Sequence, residues 1–139
     1  MSYKCVHFKI YELVPPGVYR IRGEKAWELL DDRALITLDM LRDNHGKITV
    51  NDWFWGGNYK YSGYRPKDCK EGSKLSQHRM GRAFDLKFIQ SHITIVRNDI
   101  LNNPRKYPEI TAVELNTPTW LHFDVRNYDT SQGILTFKP

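Results

Sequence analysis

The chain has 139 residues, which fits one domain with a core of its own and leaves little room for a second. Forty per cent of the residues are hydrophobic and 27% charged, an ordinary globular composition, and no segment approaches membrane-spanning length. Lysine and arginine outnumber acids by 21 to 16, but the basic residues are scattered with no run of five like charges, so the net charge of +5 names no polyanionic partner.

The opening segment 1–11 breaks its apolar residues with Lys4, His7 and Lys9, so it lacks the apolar stretch of a signal peptide and predicts synthesis in a cytoplasm. Cys5 and Cys69 are too few for a thiolate zinc knuckle. They allow one disulfide, but two free thiols are the expectation. Val14-Pro15-Pro16-Gly17 is a break that no helix or central strand crosses. Over 24–42, Trp27, Leu30, Ala34, Leu38 and Leu41 recur at three- and four-residue steps and predict one long amphipathic helix, stopped by Asn44-His45-Gly46. Residues 48–55 read as a strand that Gly56-Gly57-Asn58 turns back into a partner at 59–64, a hairpin. A polar loop covers 66–73, and 82–88 alternates strictly, with Phe84, Leu86 and Phe88 on one face and Ala83, Asp85 and Lys87 on the other. A second helix is predicted over 91–101, and strands over 110–115, 120–126 and 134–137. Helices and strands do not alternate regularly, which predicts a single α+β domain over 1–139, a mainly antiparallel sheet with two principal helices packed on it.

Two stretches carry chemistry. One is Ser76-Gln77-His78-Arg79-Met80-Gly81-Arg82-Ala83-Phe84-Asp85-Leu86, the other Trp120-Leu121-His122-Phe123-Asp124-Val125-Arg126. If their strands are neighbours, Asp85 and His122 share one polar face, and Gly81 lets the chain turn so that His78 swings over it. Two imidazoles and a carboxylate, with a fourth position left to water, form the usual ligand set of a catalytic zinc, which lowers the pKa of its water to about 7.

The segment Ser76-x-His78-x-x-Gly81-x-Ala83-x-Asp85 resembles the ligand signature of the M15 family, the zinc D,D-carboxypeptidases and related murein endopeptidases. His122-Phe123-Asp124-Val125-Arg126 resembles that family's second motif, and Ser62-Gly63-Tyr64-Arg65 its segment ahead of the first ligand. The three stand in the family's order and span 62–126. The resemblance implies a Zn2+ cofactor on the sheet, held by His78, Asp85 and His122. It also implies hydrolysis of amide bonds in peptidoglycan stem peptides, as a carboxypeptidase or endopeptidase. Arg65 becomes the cation for a substrate carboxylate or an oxyanion, with Tyr64 and Ser76 beside it in substrate binding; Ser76 is equally read as a turn residue.

Thr119 departs from many members of that family, which carry a Glu or Asp three residues before the last His as general base. Asp124, two residues from His122 on the same face, is one substitute, able to reach the water or to orient a ligand, and Glu114 is another; pairing with a neighbouring Arg is the alternative for both. Trp53-Phe54-Trp55, Tyr59, Tyr61 and Tyr64 form either an aromatic wall beside the cleft or strand aromatics packed on the long helix. The expected partner is the stem peptide, met by a monomer, with no nucleic acid and no membrane insertion. Small size and the absent signal peptide are shared with phage and prophage members of such families, including endolysins. A rival reading is a catalytically inactive, zinc-containing wall-binding or virion structural protein.

Overall fold

The alternating segments become two adjacent strands, β2 (Ala83–Phe88) and β4 (Leu121–Asp124), in the computed structural model of the chain, which describes residues 2–139. Met1, the first residue of the opening segment, lies outside them. With β1 (Ile48–Thr49), β3 (Ala112–Glu114) and β5 (Leu135–Phe137) they form one sheet in the order β1-β2-β4-β3-β5. Every pairing is antiparallel except β3 with β5. Helices α2 (Asp32–His45) and α3 (Ile93–Asn102) are the two principal ones, and the fold is α+β as expected. Phe84 and Leu86 of β2, Leu121 and Phe123 of β4, Leu35, Leu38 and Leu41 of α2, and Val96 and Ile100 of α3 are buried in one hydrophobic cluster. Burying each such side chain stabilises the fold by roughly 1.5–3 kcal/mol.

Three expectations are corrected. The helix over 24–42 is two elements: a 3-10 stretch, Gly23–Leu29, and α2. Leu30 is extended, and Asp31 caps α2 by accepting from the Arg33 amide, so a local side-chain bond restarts the helix where hydrophobic spacing reads straight through. The Pro15-Pro16 break is real, but Pro16 also opens a short helix, α1 (Pro16–Arg22), as its first residue, where a missing N–H costs nothing.

The hairpin does not form. β1 is two residues long and pairs with β2, Ile48 opposite Phe88, and Trp53–Trp55 is a 3-10 turn. Asp52 is the physical reason. Its carboxylate accepts from the Tyr59 amide at 2.9 Å while its own N–H and that of Trp53 donate to the Tyr59 carbonyl. This closes a compact loop rather than a ladder. The aromatics divide: Tyr59 and Tyr61 do line a cleft, whereas Phe54 stacks on Tyr11 with ring centres 3.8 Å apart, and Tyr19 and Trp55 meet its edges.

Cys5 and Cys69 are both free thiols. Among the described residues no helix is long and apolar enough to cross a membrane.

Away from the sheet's polar face, α2 and α3 are tied by one acid. Asp99 accepts from the Tyr107 hydroxyl (2.7 Å), from Lys106 (3.0 Å) and from His45 Nε2 (2.8 Å). Burial alone would raise its carboxyl pKa; those hydrogen bonds prevail and hold it near 2, below the ordinary 3.8. A depressed carboxylate pKa adds stability that is present above about pH 4 and is lost as pH falls toward 2. Asp99→Asn should therefore destabilise the protein at pH 6 by on the order of 1–2 kcal/mol and flatten the acid limb between pH 4 and 2, as read by urea melts across that range.

Candidate metal centre

The register of β2 and β4 sets Asp85 directly opposite His122, with Phe84 opposite Phe123 and Leu86 opposite Leu121. Because side chains alternate across a strand, the same pairing that sends four apolar residues to the core leaves Asp85 and His122 side by side on the other face. His78 comes from the turn Gln77–Met80 that leads into β2. Ser76 caps that turn by accepting from the His78 amide, and Gly81 ends it in the left-handed conformation (φ +69°). A Cβ on Gly81 would be driven into the Leu29 carbonyl, and the Gly81 carbonyl accepts from the Asp31 amide at 2.9 Å. The ligand turn is thus seated on the junction between the 3-10 stretch and α2.

Each imidazole is held by its outer nitrogen. His78 Nδ1 lies 2.9 Å from the Gly63 carbonyl, and His122 Nε2 lies 2.8 Å from Asp124 Oδ2. Both partners are acceptors, so these nitrogens carry the protons, and the lone pairs fall on His78 Nε2 and His122 Nδ1. Those two atoms converge on one oxygen, Asp85 Oδ1, at 3.3 and 2.8 Å. All three donor atoms lie within 4.8 Å of one another. Three electron-rich atoms pointed at each other in a site where His78 is 3% and His122 7% exposed need a positive charge between them. His78, Asp85 and His122 can therefore hold a metal ion, and the donor set fits one. Without an ion a proton serves. Burial opposes a charged His122 and a charged Asp85, but the hydrogen bonds between them and to Asp124 and His78 prevail, raising the imidazole pKa and lowering the carboxyl.

Asp124 is completely buried and does not face the cleft. Arg126 grips it in a fork, Nε to Oδ1 at 2.7 Å and Nη2 to Oδ2 at 2.6 Å, and these bonds with that of His122 outweigh burial and hold its pKa low. Its geometry is that of an acceptor that fixes the ring of a ligand.

Arg65 is anchored by Nε on the Tyr61 carbonyl (2.8 Å) and reaches Asp85 Oδ2 with Nη2 at 3.4 Å. Gly72 passes so close to its guanidinium that a Cβ there would collide with Nη1. The donor group sits where two lobes of an open cleft meet, each of about 480 Å³, and Arg65, Asp85, Glu71 and Trp120 line both. Ser76 and Glu114 line the lobe that holds His78 and His122, whereas Tyr64 lines neither and packs against the core. Glu71, Lys87 and Phe137 are cleft residues that motif reading passes over, and Trp120, which opens the second motif stretch without a role there, lines the cleft as well. Of the three passed over, Lys87 has a sequence signal, since it shares the strand face of Asp85.

Asp124→Asn should weaken metal binding by about 10- to 100-fold, read by competition against a chelator, because an amide offers its ring partner one acceptor and can turn an N–H toward it. Gly81→Ala should lower stability by more than about 1 kcal/mol in a thermal melt and loosen metal binding with it, since both the left-handed backbone and the Leu29 contact exclude a side chain. Comparison with family models, with curated proteins and with solved structures finds no match to this chain.

Proposed function

We propose that the chain is a zinc-dependent peptidase that hydrolyses amide bonds in peptidoglycan stem peptides. The observation that carries this reading is the convergence of His78 Nε2, His122 Nδ1 and Asp85 Oδ1 at the floor of an open cleft, with a guanidinium at its edge. Two imidazole nitrogens and one carboxylate oxygen suit zinc better than magnesium or calcium, which prefer all-oxygen sites. The chemistry a zinc ion supplies when bound is Lewis acidity toward an amide carbonyl and activation of water near neutral pH.

The chain's own residues supply the rest. Asp124 and Arg126 keep the His122 ring in one orientation, and the Gly63 carbonyl does the same for His78. Arg65, held from behind by Tyr61, binds a substrate carboxylate or the developing oxyanion, a role its permanent charge and forked donors suit. Proton transfer to the leaving amine needs a carboxylate with access to the cleft, which Asp124 lacks. Glu114, expected from the sequence, and Glu71 both line the cleft and take that role in this reading.

The second reading is an inactive zinc-containing protein that binds the cell wall or serves in a virion. Thr119 favours it, because it stands in the cleft lining at a place where a hydroxyl cannot accept a proton at neutral pH.

Metal analysis and release of new amino groups from purified peptidoglycan, on wild type and His122→Ala, separate the outcomes. The peptidase reading expects about one zinc per wild-type chain, chelator-sensitive hydrolysis, and loss of both in the variant. Glu114→Gln or Glu71→Gln should then lower kcat by about 10²–10⁴ while zinc stays bound. Zinc without hydrolysis favours the second reading, and no bound metal sinks both.

A further inference from the structure

The cleft lobe on the far side of Asp85 from the histidines is built around a lysine. Lys87 stands two residues beyond Asp85 on β2, so it projects from the same face about 7 Å along the strand. Its Nζ donates to the Val50 carbonyl at 2.6 Å and to the Ser62 hydroxyl at 2.9 Å, and it lies 3.9 Å from the centre of the Tyr59 ring. A lysine ammonium has three donors, so one remains. Among the described residues no carboxylate comes within 4 Å of it.

The fold therefore holds a half-buried lysine, with one donor unfilled and no carboxylate within 4 Å, in the wall of a cleft. Binding Val50 and Ser62 to β2 requires a donor, not a charge, and the charge is what remains for a ligand. Lys60 and Arg65 line the same lobe, and Tyr59, Tyr61 and Trp120 give it aromatic walls. In the other lobe the one guanidinium besides Arg65, that of Arg126, is spent on Asp124, and Glu114 adds a negative charge.

The geometry points to the Lys87 lobe as a subsite for a carboxylate-bearing residue of the substrate, bound while a neighbouring amide lies over His78, Asp85 and His122. This rests on the peptidase reading for the nature of the substrate. The 7 Å step along the strand places that carboxylate within about two residues of the bond over the donor group. Stem peptides offer one from two sources: the free chain end, or the α-carboxylate of the γ-linked D-glutamate. The first means release of a terminal residue and the second an internal cut.

The test uses a synthetic stem pentapeptide (L-Ala, γ-linked D-Glu, L-Lys, D-Ala, D-Ala) in four forms: both carboxylates free, either one amidated, and both amidated. Affinity for the zinc-loaded protein is measured by calorimetry at pH 7, and hydrolysis of the same peptides is followed separately by mass spectrometry. The wild type should bind the fully free form about 10- to 100-fold more tightly than the doubly amidated one. Lys87→Gln should abolish that preference, and Lys60→Gln, at an exposed position that cannot disturb the core, should reduce it severalfold. Whichever singly amidated peptide loses the preference names the source. Equal binding of acid and amide forms by the wild type, or a preference that survives in both variants, overturns the proposal. A charge preference without hydrolysis leaves the subsite standing and removes the peptidase reading; hydrolysis without the preference does the reverse.

Discussion

Antiparallel pairing of β2 with β4, in the register that sets Asp85 opposite His122, is the constraint on which the rest of the molecule depends. The same four pairs do two jobs, since Phe84 with Phe123 and Leu86 with Leu121 build the core that holds the sheet to α2 and α3. A slip of one residue would turn the ligands inward and the phenylalanines outward, burying charge and exposing apolar surface together. Hydrophobic burial thus fixes the geometry of the donor atoms: the energy that selects the register is gained on one face, and the donor atoms on the other face follow from it.

The third ligand is not on the sheet and needs its own restraints. His78 is placed by contacts at both ends of its turn: the Ser76 cap at the start, the Gly81 seat against Leu29 and Asp31 at the end, and the Gly63 carbonyl on the ring itself. Gly63 is in turn pressed against the Leu13 carbonyl, where a Cβ would clash. Segments from four parts of the chain therefore meet behind one imidazole. This explains why residues 13, 29 and 63, none of them a candidate ligand, lie close behind the site.

The parts of this arrangement legible in the sequence are those written in periodic or motif form. Alternation over 82–88 and 120–126 predicts both strands and the shared face of Asp85 and His122, and Gly81 marks the turn of His78. What spacing could not reveal depends on local polar bonds and on distant partners. Asp31 and Asp52 redirect the backbone through single side-chain hydrogen bonds, which leave hydrophobic periodicity untouched, so periodicity predicts one helix where there are two elements and a hairpin where there is a loop. Trp53, Phe54 and Trp55 have strand-like composition, yet their packing partners Tyr11 and Tyr19 lie more than 30 residues earlier. Spacing leaves Asp124 open between base and orienting partner, because only the Arg126 fork and complete burial separate the two.

That fork also bears on the electrostatics of the whole cleft. A fully buried carboxylate is costly unless paired, and Arg126 neutralises Asp124, so its negative charge does little to repel an anion in the cleft. Asp85 is shared among His78, His122 and Arg65, so the lobe around Lys87 keeps the positive charges of Lys87, Lys60 and one edge of Arg65 against the single carboxylate of Glu71, while Glu114 faces the other lobe. A divalent ion among the three donors would make the interior more positive still. In the proposed reading, an acidic peptide gains from the charge around Lys87 where a neutral or cationic one does not, its carboxylate set toward Lys87 and an amide over the donor group. The scattered surplus of basic residues, +5 over the chain, adds a weaker, salt-screened attraction of the same sign at longer range. In that reading charge at both scales favours the same class of ligand, and the positions that decide it, Lys87 and Arg65, lie one on the strand of Asp85 and one in contact with its carboxylate.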